Sequence, residues 1–182
     1  MSDFELLFSL FSLLLGLAMA QVLGDGGRVI NLRHKIRIGW LTPLLATLVM
    51  LDLSSFWTLA FSVRDRVAAN YLVLLLLLVF ASAYYLVATL VFPNDLDENT
   101  DLDAHYWGNR RIVLGAILTL NLLSVGTDVW RGANNYTLVV GVIFLACLAL
   151  LWVSTSKRVN IALLTVICSL YLFSPLAAFA LR

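Results

Sequence analysis

The chain is short of charge. Only 13% of its 182 residues are Asp, Glu, Lys or Arg, where a soluble domain carries about 25%. Twelve basic residues stand against eleven acidic ones, for a formal net charge of +1, so there is no strongly basic field to hold nucleic acid. There are two cysteines, Cys147 and Cys168. Both fall inside apolar runs, where they read as reduced, buried and structural rather than as a disulfide. The two histidines, His34 and His105, make no HExxH pair, and no cysteine is spaced with them as a zinc ligand. No Gly-x-Ser-x-Gly elbow is visible. The run Gly24-Asp25-Gly26-Gly27-Arg28 lacks the spacing of a P-loop or a dinucleotide fingerprint. Signatures of an enzyme are therefore largely missing, and no cofactor is implied.

What the chain has instead is apolar length. Hydrophobic residues make up 62% of it and the mean hydropathy is +0.94. A soluble core cannot hide this much apolar surface, so lipid must be the solvent for much of it. Apolar runs of near 20 residues recur, the length that crosses about 30 Å of hydrocarbon. Six such segments fall at 4–23, 39–61, 70–92, 112–130, 136–153 and 159–181. Each is expected to be a helix, because in lipid only a helix satisfies its own backbone polar groups. The expected fold is an all-α integral membrane protein, a single transmembrane domain over 1–182 formed by a compact bundle of about six transmembrane helices with short loops.

Ala18-Met19-Ala20 before Gln21 resembles a signal-peptidase site, but Asp3 and Glu5 precede it in place of a basic n-region, so the segment is read as a retained first span. Orientation follows from Lys and Arg in the loops. Arg28, Arg33, Lys35, Arg37, Arg110, Arg111, Lys157 and Arg158 share one side, and Arg64, Arg66, Arg131 and Arg182 the other. The richer side is expected to face the cytoplasm, with both termini outside the cell membrane. Trp40, Trp107 and Trp152 then fall near the inner interface, and Trp57 and Trp130 near the outer one, at the headgroup level that tryptophan prefers. Arg66-Val67-Ala68-Ala69-Asn70-Tyr71 matches Arg131-Gly132-Ala133-Asn134-Asn135-Tyr136 at four of six positions, which is either a trace of a duplicated hairpin or coincidence in biased sequence. Pro93 to Asn109 is the one long polar connection. Tyr84-Tyr85 and Asn160 read as local packing, and Pro175 as a bend or an end of the last helix.

Asp52 is the sharpest chemical signal. It lies midway along the second segment, near the bilayer centre, where a carboxylate costs about 2.5–3.5 kcal/mol to insert. Such residues face the bundle interior and often mark ion or proton paths; the competing reading is a hydrogen-bonded tie between helices. Ser55 shares its helical face. Asn121, Ser124 and Asp128 lie on one side of the fourth segment; if Asn121 meets Asp52 at mid-depth the pair forms a small polar site, and the competing reading of Asn121 is interhelical glue. Asp128 near the outer interface is expected to pair with Arg131.

Ser12, Gly16, Ala20 and Gly24 form a small-residue stripe on the first segment, the spacing that lets helix backbones approach closely, within the bundle or in a homo-oligomer. The glycine run after it reads as a helix stop. Arg28, Arg33, Lys35 and Arg37 then form a basic loop suited to anionic lipid headgroups, at about 1 kcal/mol each. Asp95, Asp97, Asn99, Asp101 and Asp103 alternate like the oxygen ligands of a calcium loop, but Thr100 and Tyr106 stand where that loop needs Gly and a bidentate Glu.

Three functions compete on this reading. A small, oligomeric ion channel or transporter would use Asp52, Ser55, Asn121 and Ser124, with Asp128 and Arg131 at an outer vestibule; it requires a hydrated path to Asp52. A non-enzymatic scaffold or partner subunit would bury Asp52 dry and use the first helix as a contact surface. A membrane enzyme acting on lipid at the cytoplasmic face would gather Asp101, Asp103, His105 and Arg110 into one pocket.

Overall fold

The structure, a computed structural model, describes residues 3–62 and 70–180; within those ranges the side chains at 3, 4, 6, 62 and 174–180 lie outside the description. Arg64, Arg66 and Arg182, and with them four of the six residues of the first copy of the repeated hexapeptide, are outside the described residues. Six helices follow in order: α1 (Asp3–Asn31), α2 (Leu41–Ser62), α3 (Tyr71–Val91), α4 (Leu102–Trp130), α5 (Asn135–Val153) and α6 (Lys157–Ala180). Among the described residues there is no strand, only an isolated parallel bridge between Arg37 and Asp101. Five helices, α1 to α5, are long and apolar enough to cross a membrane. The chain is accordingly a helical protein of membrane character.

Two helices are longer than their apolar segments. The glycine run does not stop α1, which continues to Asn31. Each interior glycine costs about 1 kcal/mol against alanine, and packing offsets that cost. Asp25 is buried and accepts from Gln21 one turn earlier (2.8 Å) and from Arg28 one turn later (2.5 Å). Val22 and Val29 bury themselves on the same face. Likewise α4 starts at Leu102, ten residues before the fourth apolar segment. Asp101 caps it, accepting from the backbone N–H groups of Asp103 (2.9 Å) and Ala104 (3.2 Å), a common way to satisfy first-turn donors. The long polar connection thus shrinks, and His105 lies on a helix. At the other end of the chain, α6 runs past position 175 to Ala180, so Pro175 does not end it.

The buried face of α1 reads Phe11, Leu15, Ala18, Val22, Asp25 and Val29, alternating steps of four and three, the seam of a helix packed at a shallow angle. It lies chiefly against α3. The central element is α2, which touches α1, α3, α4 and α6. Its inward positions, Leu41, Leu45, Leu48, Val49, Asp52, Leu53 and Phe56, are all buried.

The core is lopsided. On α3 the buried residues run from Ala81 to Val91, and on α4 from Leu102 to Asn121. On α5 they are Phe144, Leu148 and Leu151. All cluster toward the end that carries the α1–α2, α3–α4 and α5–α6 connections. There the loops bind one another: Arg37 N–H donates to Thr100 O (2.9 Å), Leu102 N–H to Arg37 O (3.1 Å) and Asn99 N–H to Lys35 O (3.2 Å). Asn99 adopts φ 89°, a left-handed conformation that asparagine tolerates better than most side chains. Toward the opposite end the helices part, leaving Leu72, Leu75, Leu76, Val79, Leu122, Leu123 and Val129 exposed.

Candidate functional site

Near the outer limit of the packed core lies Asp52. It occupies an interior slot in the apolar seam of α2 and has no exposed surface. Tyr84 of α3 donates its hydroxyl to Oδ2 at 2.6 Å. Tyr171 of α6 donates to Oδ1. Asn121 of α4 reaches both oxygens with Nδ2, at 3.0 and 3.2 Å, and also its own helix at Ile117 O, 3.0 Å. One carboxylate thus ties four helices, and its recorded side-chain partners are all donors. Aromatic rings wall the site. Phe56 and Phe80 sit 4.6 Å apart and pack on Tyr84 at 5.1 and 5.3 Å, and Phe144 meets Tyr171 edge-on at 5.0 Å.

The residues proposed from sequence around Asp52 divide. Asn121 joins it. Ser55 does not reach the carboxylate; its hydroxyl donates to the Asp52 backbone carbonyl at 2.7 Å, the back-bond usual for serine inside a helix. Ser124 accepts from Thr127 through its own carbonyl (2.7 Å). Asp128 and Arg131 form an ion pair, two turns beyond Asn121 and roughly 10 Å farther along the axis, away from Asp52. Tyr84 is more than local packing, and Tyr171 carried no separate expectation. The signal for both was their position well inside apolar helices rather than at an interface, since a buried tyrosine hydroxyl needs a partner.

A second polar cluster fastens the well-packed end. Asp103 Oδ1 accepts from the backbone N–H of Leu41, the first residue of α2 (3.1 Å), and Oδ2 pairs with Lys157, the first residue of α6 (2.6 Å). The Asp103 carboxylate holds the Lys157 ammonium above the usual lysine range. Thr42 donates to Leu102 O (2.6 Å). Arg110, 3% exposed, donates to the carbonyls of Leu151 (2.7 Å) and Ser154 (2.5 Å) and stacks on Trp107 at 4.6 Å. A cation there satisfies the orphan carbonyls and the negative dipole at the C-terminus of α5. Tyr106 donates to Asn160 Oδ1 (2.6 Å), and Asn160 Nδ2 donates to Ser154 O (3.1 Å) and Ser156 O (2.9 Å). Asn160, read from sequence as packing, is therefore a hub.

The residues suggested for lipid chemistry are turned to separate tasks. Asp101 caps α4, Asp103 holds α2 and α6, and Arg110 faces α5. His105 Nε2 lies 3.1 Å from Leu90 O. Of the alternating acids, Asp101 and Asp103 are taken by these tasks, and among the described residues no group of three or more His, Cys, Asp or Glu is placed to hold a metal. In the basic loop, Arg28 pairs with Asp25 and reaches Asn94 O (3.3 Å), Lys35 pairs with Glu98 (2.8 Å) and Arg33 donates to Ile30 O (3.3 Å), while Arg37 enters through its backbone.

The small-residue stripe on α1 lies beside the buried seam, not in it. A Cβ placed on Gly16 or Gly24 meets nothing within 4 Å, and Ala20 is exposed. The Ser12 hydroxyl is shielded yet has no hydrogen-bond partner among the described residues. Searches against protein-family models, curated proteins and solved structures return no match to this chain.

Proposed function

We propose that this chain is a non-enzymatic membrane scaffold or partner subunit, inserted with its charge-rich, tightly packed end toward the cytoplasm and both termini outside. The observation that carries the reading is the state of Asp52: no exposed surface, and both oxygens taken by Tyr84, Tyr171 and Asn121. A transported ion or proton needs a wetted carboxylate to enter from and leave to, whereas a carboxylate committed to four helices is helix-packing glue. The working surface on this reading is the outward stripe of Ser12, Gly16, Ala20 and Gly24. Another helix can approach there to backbone contact.

The test is reconstitution. Wild-type protein in proteoliposomes is expected to pass no cations, anions or protons above protein-free vesicles, and Asp52→Asn to behave alike. In detergent, Gly16→Leu is expected to lower the mass of the assembled species without changing helix content. Flux that Asp52→Asn abolishes with the fold intact would establish a transport site and sink the scaffold reading. A mass unchanged by Gly16→Leu would remove the α1 surface from it.

A further inference from the structure

Where the outer halves of α1 to α4 part, they line a partly open cavity of about 380 Å³. Phe8, Phe11, Phe56, Phe80, Ala60 and Val73 are among its walls, and Thr127 and Arg131 are its polar lining residues. Its lining on α3 runs from Val73 to Phe80, roughly 10 Å of helix rise. The inner end is closed by Phe56 and Phe80, so one aromatic layer separates the cavity from the Asp52 cluster. At the other end stands Arg131 beside Trp130, which is 78% exposed and suited to the headgroup level.

The chemistry of this space is one-ended. Water finds too few hydrogen-bonding partners on such walls to be held there, while a hydrocarbon chain gains dispersion contacts with them. The volume is within the range of small-molecule sites. The polar group is a guanidinium, whose fork of donors matches phosphate oxygens. Arg131 already pairs with Asp128, so a phosphate there would share the guanidinium with that carboxylate.

We propose that this cavity takes the headgroup-proximal part of one acyl chain of a phospholipid from the surrounding leaflet, with the lipid phosphate at Arg131 and the first methylenes directed inward toward Phe56 and Phe80. The splayed half of the bundle is then completed by lipid, much as the other half is completed by its polar ties.

Native mass spectrometry of the full chain in mild detergent, titrated with palmitoyl-oleoyl phosphatidylglycerol, tests this directly. The first lipid is expected to bind at least tenfold more tightly than later ones. Ala60→Phe and Val73→Phe, which fill the cavity from different helices, are each expected to abolish that first binding while the melting temperature stays at or above the wild-type value. Arg131→Gln is expected to weaken it several-fold, and dioleoylglycerol, which lacks a phosphate, to show no tight first binding. The proposal is overturned by graded binding with no distinct first lipid, or by first binding that survives in both filled variants. Equal binding of dioleoylglycerol would overturn the place given to phosphate, even if Arg131→Gln does not fold.

Discussion

Replacing Asp52 by leucine removes both acceptor oxygens and puts a larger side chain in a fully buried slot, so Tyr84, Tyr171 and Asn121 are left with unmet donors in the core. An unmet buried donor costs about 1–3 kcal/mol, although hydrogen bonds inside membrane bundles average nearer 0.6 kcal/mol because the unfolded chain in lipid finds other partners. Asp52→Leu should therefore lose about 2–4 kcal/mol in reversible detergent unfolding, and Asp52→Asn, which keeps one oxygen, about 1 kcal/mol. A leucine variant as stable as wild type would show that the three donors do not depend on this carboxylate. The importance of Asp52 was legible in the sequence, because a mid-span acid has few tolerable surroundings, while a meeting with Asn121 was only one arrangement that their similar depth allowed. The two tyrosines were not, since a tyrosine in an apolar run reads equally well as packing until the helix rotation is known.

At the scale of elements, polar ties between helix ends set the arrangement. Asp103 serves the first N–H of α2 and the first residue of α6, and Arg110 serves the last carbonyls of α5. Space at the first of these ties is tight: a Cβ on Gly39 would lie 2.0 Å from Asp103 Cγ. Gly39→Ala must push the carboxylate off Leu41 N–H, and overpacking plus the lost bond should cost roughly 2–4 kcal/mol. The double variant Gly39→Ala/Asp103→Ala should be no less stable than Asp103→Ala alone, because the clash has lost its second partner. A double variant much worse than Asp103→Ala would mean that Gly39 matters for another reason. The extensions of α1 to Asn31 and of α4 back to Leu102 were missed because both stretches are polar or glycine-rich. A hydropathy pattern marks where a helix meets lipid, not where it continues inside the protein or at its surface.

At the scale of the whole molecule, six helices form a bundle with one fastened end and one parted end. The fastened end gathers eight of the twelve basic residues, and its proposed cytoplasmic placement can be checked with single cysteines. Thr155→Cys, between α5 and α6, should resist a membrane-impermeant maleimide added to intact cells. Asn135→Cys, at the start of α5, should react with it. The reverse pattern would invert the molecule. Spacing and composition alone determined that the chain is helical and of membrane character, because an apolar run of about 20 residues has only a helix open to it in lipid. They also determined which polar residues would be costly to bury. Only the tertiary structure decided which of them meet. Whether Asp52 faces Tyr84 and Tyr171 or a water path depends on the rotation and pairing of helices distant in sequence. The same is true of whether the α1 stripe faces inward or outward. Both are set by side-chain packing between α1 and α3, α2 and α6, and α2 and α4. That packing has no signature in the periodicity of a helix whose every face is apolar.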